Sequence, residues 1–208
     1  MSEFDLNKVT RKNILDLIPY RCARDDYSTG VLLDANENSF GPSVLSHPHL
    51  DLHRYPDPLH YEFKEKLAKF RNVKKEQIFL GVGSDECIDI IIRIFCIPCI
   101  DNIIITPPTY GMYKVCAKVN DVTVKNAPLT PQFDVDIPLT ISQIDENTKL
   151  IFICSPGNPT CKVIPTSVVE NILKQYTTGT VAHVCMYMIM LFIILYTNTL
   201  YNIVYSHT

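Results

Sequence analysis

The rhythm of apolar positions changes three times along this chain. Over 59–70, Leu59, Phe63, Leu67 and Phe70 recur at helical spacing, while Glu62–Lys66 and Glu65–Lys69 pair on the other face. That pattern predicts an amphipathic helix. Before it, residues 1–58 carry Pro19, Gly30, Gly41-Pro42, Pro48, Pro56 and Pro58 and few periodic runs. They predict an N-terminal arm with one short helix near 11–17. After it, short apolar runs alternate with helical patterns. The runs predict strands at 78–81, 102–106, 122–125 and 149–154. The helical patterns fall at 85–95 with Ser84 as N-cap, at 110–119, and at 166–175 with Thr166 or Pro165 at its start. Such alternation with short links predicts an α/β sheet covered on both faces, with 59–176 as one unit. Residues 177–208 then contain no Asp, Glu, Lys or Arg and are rich in Ile, Tyr, Met, Leu and Thr.

Composition narrows the classes. With 19 basic and 22 acidic residues the net charge is −3, and no basic stripe points to nucleic acid. The polar, acidic start (Met1-Ser2-Glu3-Phe4-Asp5) does not resemble a secretory or transit peptide. The eight cysteines lie mostly in apolar segments, which predicts buried free thiols in a reducing cytoplasm. Cys96-x-x-Cys99 has no second pair at metal spacing, so a zinc or redox reading is set aside, and no metal site is expected. His47, His49, His53 and His60 fall in a Pro-rich stretch without helical pairing and read as a solvated loop.

Three strand ends carry chemistry. Gly81-Val82-Gly83-Ser84-Asp85-Glu86 follows a strand and opens a helix, where free N–H groups and a partial positive charge suit a phosphate. Glu86 stands where a dinucleotide fingerprint needs glycine, and no Gly-Lys-Ser/Thr follows, which disfavours a nucleotide-binding α/β protein. A capped helix after a tight turn is the competing reading of this loop. Pro107-Pro108-Thr109-Tyr110 places an aromatic at the next strand end, either to stack on a planar ligand or simply to pack at a helix start. Ser155-Pro156-Gly157-Asn158-Pro159-Thr160 follows the run 150–154, and its prolines restrain φ on either side of the Asn158 amide.

The order and wording of these loops resemble fold-type-I aminotransferases that use pyridoxal phosphate, and more narrowly the histidinol-phosphate aminotransferases of fungi. Leu17-Ile18-Pro19-Tyr20-Arg21-Cys22-Ala23-Arg24, Leu33-Asp34-Ala35-Asn36-Glu37-Asn38 and His53-Arg54-Tyr55-Pro56-Asp57-Pro58 add to the match, which runs from about 4 to 175. The resemblance implies the N-terminal part of the large domain of that fold. It also implies a transamination between histidinol phosphate and 2-oxoglutarate in histidine biosynthesis, carried out by a homodimer. By the same resemblance, Ser84 and Asp85 hold the cofactor's phosphate, Tyr110 stacks on its ring, and Asn158 binds its phenolic oxygen. Tyr55 reaches the phosphate in the partner subunit, and Tyr20 and Asn36 lie on the substrate side.

Two departures stand out. Cys99 occupies a position where the family usually carries glycine after the helix, so a left-handed cap there meets a β-carbon penalty. The family also continues after its last helix here with a strand bearing an Asp, then the Schiff-base lysine, an Arg and a small domain. In this sequence no lysine follows Lys174. The expectation is a truncated chain, inactive alone, with no catalytic lysine. The tail at 177–208 has three readings. The favoured one is a non-native segment such as a read-through intron after Thr178-Gly179-Thr180. The second is a membrane anchor over 181–205 that tethers a non-catalytic remnant to a full-length partner. It is interrupted at Thr197-Asn198-Thr199, short of the about 20 apolar residues a span needs. The third is an unrecognised native strand and helix.

Overall fold

The computed structural model describes residues 6–27, 29–43, 50–175, 180–185 and 192–196, with residue 6 and the last two segments as backbone. Its centre is β1 (Asn102–Ile105) and β3 (Thr148–Cys154). Ile103-Ile104-Ile105 and the run 150–154 are buried on both faces, as near-continuous branched runs are in a covered parallel sheet. β2 (Thr123–Asn126) pairs parallel with β1 on its outer side and forms a partly exposed edge. β4 (Thr180–Cys185) runs parallel to β3, and β5 (Phe192–Tyr196) closes the order β2-β1-β3-β4-β5 in the antiparallel sense.

Helices lie on both faces, as the alternation predicts. On one, α4 (Gly83–Phe95) and α5 (Met112–Val119) bury Ile88, Ile92 and Tyr113 against Ile103, Ile105, Leu150 and Phe152. On the other, α7 (Thr166–Gln175) packs Val169, Ile172 and Leu173 over Ile104, Ile151 and Ile153. Each fully buried aliphatic side chain contributes about 1.5–3 kcal/mol. α6 (Ile137–Ser142) was not legible in the apolar pattern. It is started by Asp136, which accepts from the Leu139 N–H at 2.9 Å, and by a proline in its first turn.

The arm contains α1 (Leu6–Val9), α2 (Lys12–Leu15) and a 3-10 turn at Ala23–Asp25; α3 (Tyr61–Arg71) follows it. Its start is fastened to the end of α4. The Arg11 N–H donates to the Ile94 carbonyl at 3.1 Å, and Arg11 Nη1 to the Arg93 carbonyl at 2.8 Å. A cation on the last carbonyls of a helix is the favourable end of its dipole.

Two expectations are corrected. The segment 78–81 follows a 3-10 turn (Lys75–Gln77) and pairs with no strand among the described residues. Ile78 is extended and buried, but no neighbouring strand offers it a ladder. Ser84 is not the N-cap of α4. Val82 holds that position, and the chain enters the helix through Gly83 at φ 75°, a conformation that glycine adopts without a β-carbon penalty. Cys99 does sit in the left-handed region, at φ 61°. Its thiol donates to Asp121 Oδ2 at 2.8 Å, and its N–H to the Asp121 carbonyl at 2.7 Å. Its Cys-x-x-Cys partner, Cys96, lies inside the core, where burial pushes its thiol pKa up to about 12.

The stretch 181–205 is described only in β4 and β5, which are strands; 186–191 and 197–208 lie outside the described residues, as do His47 and His49. Among the described residues no helix is long and apolar enough to cross a membrane.

Candidate functional site

The chain leaves β1 in one direction, through α5 to β2, and returns to β3 on the other side of β1. The carboxyl ends of β1 and β3 therefore border a topological switch point, where open α/β sheets form a crevice for ligands. Ile105 and Phe152 are in register there. Three of the sequence-predicted segments meet near this point.

The first is the start of α4. Its leading amides, which include Ser84 and Asp85, have no intrahelical acceptor, and the helix has no side-chain N-cap bond. Glu86 reaches back to accept from the Val82 N–H, which shapes the loop and leaves the Ser84 and Asp85 amides outside that bond.

The second is Tyr110, placed just before α5. Its hydroxyl donates to Asp85 Oδ1 at 2.9 Å, and Ser84 Oγ donates to the same oxygen at 3.3 Å. The Tyr110 ring meets Tyr113 edge-on, at 5.8 Å and 87°, and Tyr113 stacks on Phe152 at 4.8 Å and 20°. An aromatic column thus rises from the sheet to Tyr110. Burial, followed by the Asp85 carboxylate, raises the pKa of Tyr110, so its hydroxyl keeps its proton. Next to it, Thr109 Oγ1 is buried without a hydrogen-bond partner among the described residues.

The third is the loop after β3. Ser155 is buried, and its Oγ accepts from the Ile164 N–H at 2.9 Å. The Gly157 N–H donates to the Lys162 carbonyl, and the Cys161 N–H to the Gly157 carbonyl, each at 2.7 Å. The loop is closed on itself and presents Asn158, whose side-chain amide has no partner among the described residues. Beneath it, Cys154 is buried; burial raises its thiol pKa, opposed by contacts from the Tyr113 hydroxyl and the Asn158 N–H.

The arm residues are placed elsewhere. Tyr20 is 92% exposed, Tyr55 is 65% exposed, and Asn36 is exposed. None of the hydrogen bonds or ring contacts of the described residues joins them to Ser84, Asp85, Tyr110 or Asn158. Sequence reasoning missed the supports behind these groups: Tyr113, in the first turn of α5; Cys154; and the Glu37 carboxylate, which accepts from the Tyr55 N–H at 2.7 Å.

Fold and site together define an α/β protein with a crevice at the carboxyl edge of its sheet. Its switch point offers helix amides and a side-chain amide that are unpartnered among the described residues, beside an aromatic face, a set that fits a planar, anionic molecule. The aminotransferase class I and II family matches residues 29–183, and the chain belongs to that family. It is 46% identical to the histidinol-phosphate aminotransferase of Candida maltosa over 189 residues, covering 83% of this chain and 49% of that protein. To the enzyme of the same name from Saccharomyces cerevisiae it is 45% identical, with 86% and 51% covered. The chain spans about half the length of the curated relatives it matches. Among solved structures it resembles the histidinol-phosphate aminotransferase of Clostridium acetobutylicum, with TM-score 0.54, 28% identity, and 64% and 38% of the two chains covered. The fold also matches the Sinorhizobium meliloti enzyme in complex with pyridoxal 5'-phosphate, with TM-score 0.59, 20% identity, and 72% and 42% covered.

Proposed function

We propose that this chain forms the N-terminal half of a histidinol-phosphate aminotransferase and contributes half of its pyridoxal phosphate site. The reaction is amino transfer from histidinol phosphate to 2-oxoglutarate, giving imidazole-acetol phosphate and glutamate. The observation that carries the reading is the hydrogen bond from Tyr110 to Asp85, which brings an aromatic ring to the uncapped start of α4 at the switch point. The relatives' names support the substrate.

Pyridoxal phosphate, when bound, supplies an electron sink for the bonds broken at the amino carbon. This chain's residues hold and orient it. The Ser84 and Asp85 N–H groups receive the phosphate, with the helix dipole behind them. The Asp85 carboxylate would oppose an anion, but its Oδ1 already accepts from Tyr110 and Ser84, which tempers its charge. The Tyr110 ring packs on the cofactor's face, and the Asn158 amide donates to the phenolic oxygen. Tyr55 extends to the cofactor phosphate in the partner subunit of a homodimer, and Tyr20 and Asn36 face the substrate.

The lysines that follow the Asn158 loop are placed for other work. Lys162 pairs with Asp134 at 3.0 Å, and Lys174 is exposed in the last turn of α7. Their placement supports the reading that the 208-residue polypeptide on its own binds the cofactor without carrying out transamination. A cytoplasmic setting belongs to the same proposal and is supported by the buried thiols of Cys87, Cys96 and Cys116. Equilibrium dialysis against pyridoxal phosphate tests the reading. Saturable binding that Asn158→Ala weakens about tenfold, the worth of one bond to a charged oxygen, is expected. Absence of binding, or transamination by the 208-residue polypeptide alone, contradicts it.

A further inference from the structure

Three segments of the arm converge on one carboxylate. Glu37 Oε2 accepts from Arg24 Nη2 and Arg54 Nη1, both at 2.8 Å, and Glu37 Oε1 accepts from the Tyr55 N–H at 2.7 Å. Arg24 is itself held by Asp34, at 3.2 Å from Nε to Oδ2. The Glu37 side chain is only 7% exposed, although the arm around it is open. Apart from the three-residue turn at Ala23–Asp25, these segments have no helix or strand to order them. Their relative placement therefore depends on this junction. Bonds from two guanidinium groups and a backbone amide to one carboxylate are of the strong, charge-assisted kind. Arg24 foremost, and then the Tyr55 N–H and Arg54, hold the Glu37 pKa down at about 2, so the junction stays charged across the neutral range.

The junction ends on the backbone of Tyr55 itself, while the Tyr55 side chain stays 65% exposed. We propose that Glu37, through Arg24, Arg54 and the Tyr55 amide, is a positioning residue that aims the Tyr55 hydroxyl at a phosphate outside its own chain. This rests on the reading of Tyr55 as a ligand of the cofactor phosphate in the partner subunit. Glu37 touches neither substrate nor cofactor; its effect passes through Tyr55.

A double-mutant cycle on the 208-residue chain separates positioning from general support of the fold. Dissociation constants for pyridoxal phosphate are measured for the wild type, Tyr55→Phe, Glu37→Gln and the double variant. Exchange of the Tyr55 amide proton is followed alongside. Tyr55→Phe and Glu37→Gln are each expected to weaken binding about tenfold, the loss of one charge-assisted bond. The double variant is expected to be no weaker than either single one, and the Tyr55 amide to exchange faster in Glu37→Gln. Losses that multiply in the double variant, or unchanged binding in Glu37→Gln beside a weakened Tyr55→Phe, overturn the role of Glu37 alone. Unchanged binding in Tyr55→Phe removes the underlying reading of Tyr55, and the positioning role with it. If Glu37→Gln does not fold, Arg54→Ala, which removes one of the two guanidinium groups bound to Glu37, goes through the same cycle with the same expectations.

Discussion

The Tyr110 hydroxyl donates to Asp85 Oδ1 at 2.9 Å, which ties the end of β1 to the start of α4 across 25 residues of sequence. This bond joins the loop after β1 and the start of α4 into one site, and it separates two properties of Tyr110. The ring provides a face; the hydroxyl positions that face against the helix amides. Tyr110→Phe keeps the ring and removes the bond, so thermal stability should fall by about 1 kcal/mol and cofactor affinity only a few-fold. Tyr110→Ala removes both and should weaken affinity by much more. Melting curves and dialysis of the two variants check this. Equal losses of affinity would mean that the ring does not contact the ligand.

Gly157 lies where a β-carbon would run into Thr160 Oγ1 and come within 3.6 Å of the Lys162 carbonyl. Gly157→Ala should therefore open the loop that presents Asn158, destabilising the protein by about 1–3 kcal/mol as overpacking does. Removing the obstacle in Gly157→Ala/Thr160→Ala should recover most of that loss. Chemical denaturation of the two variants against the wild type reads the effect. A double variant no more stable than Gly157→Ala would place the conflict elsewhere.

Burial raises the pKa of the Cys96 thiol to about 12 from 9.0 and raises that of the Tyr113 hydroxyl. Both groups keep their protons in the folded state after the unfolded chain has begun to lose them. The stability they contribute is complete below the unfolded values and is lost as pH rises toward the folded ones. The melting temperature should therefore fall as pH rises above about 9, and Cys96→Ala should show a shallower fall from a lower start. Identical slopes would show that Cys96 does not carry the alkaline loss.

Much of this arrangement was legible in the sequence, for physical reasons that differ by element. β1 and β3 were readable because Ile103-Ile104-Ile105 and Leu150-Ile151-Phe152-Ile153 are long branched runs that only a sheet covered on both faces can bury. α3, α4, α5 and α7 followed from helical periodicity. α6 was hidden because its start lies in the Asp136 side chain and a proline rather than in an apolar stripe. The segment 78–81 has the composition of a strand, but pairing is a property of the neighbour, which local sequence does not contain. The strand β4 was obscured by an uncharged composition suggestive of a tail, whereas the family match runs on to residue 183. For the site, sequence order placed Tyr110 and Asn158 after β1 and β3, whereas the strand expected before Ser84 did not form. It could not show that Asp85 binds Tyr110 or that Glu37 gathers the arm, because both contacts join residues far apart in the chain.

The central claim is that the switch point between β1 and β3 receives pyridoxal phosphate at the start of α4. A titration of the isotopically labelled 208-residue chain with pyridoxal phosphate, followed through its backbone amide resonances, tests it most directly. The account predicts that the Ser84 and Asp85 amides shift most, accompanied by the Asn158 side-chain amide, and that Tyr110→Ala suppresses all three. Saturating shifts centred on other residues, or none at all, would contradict it.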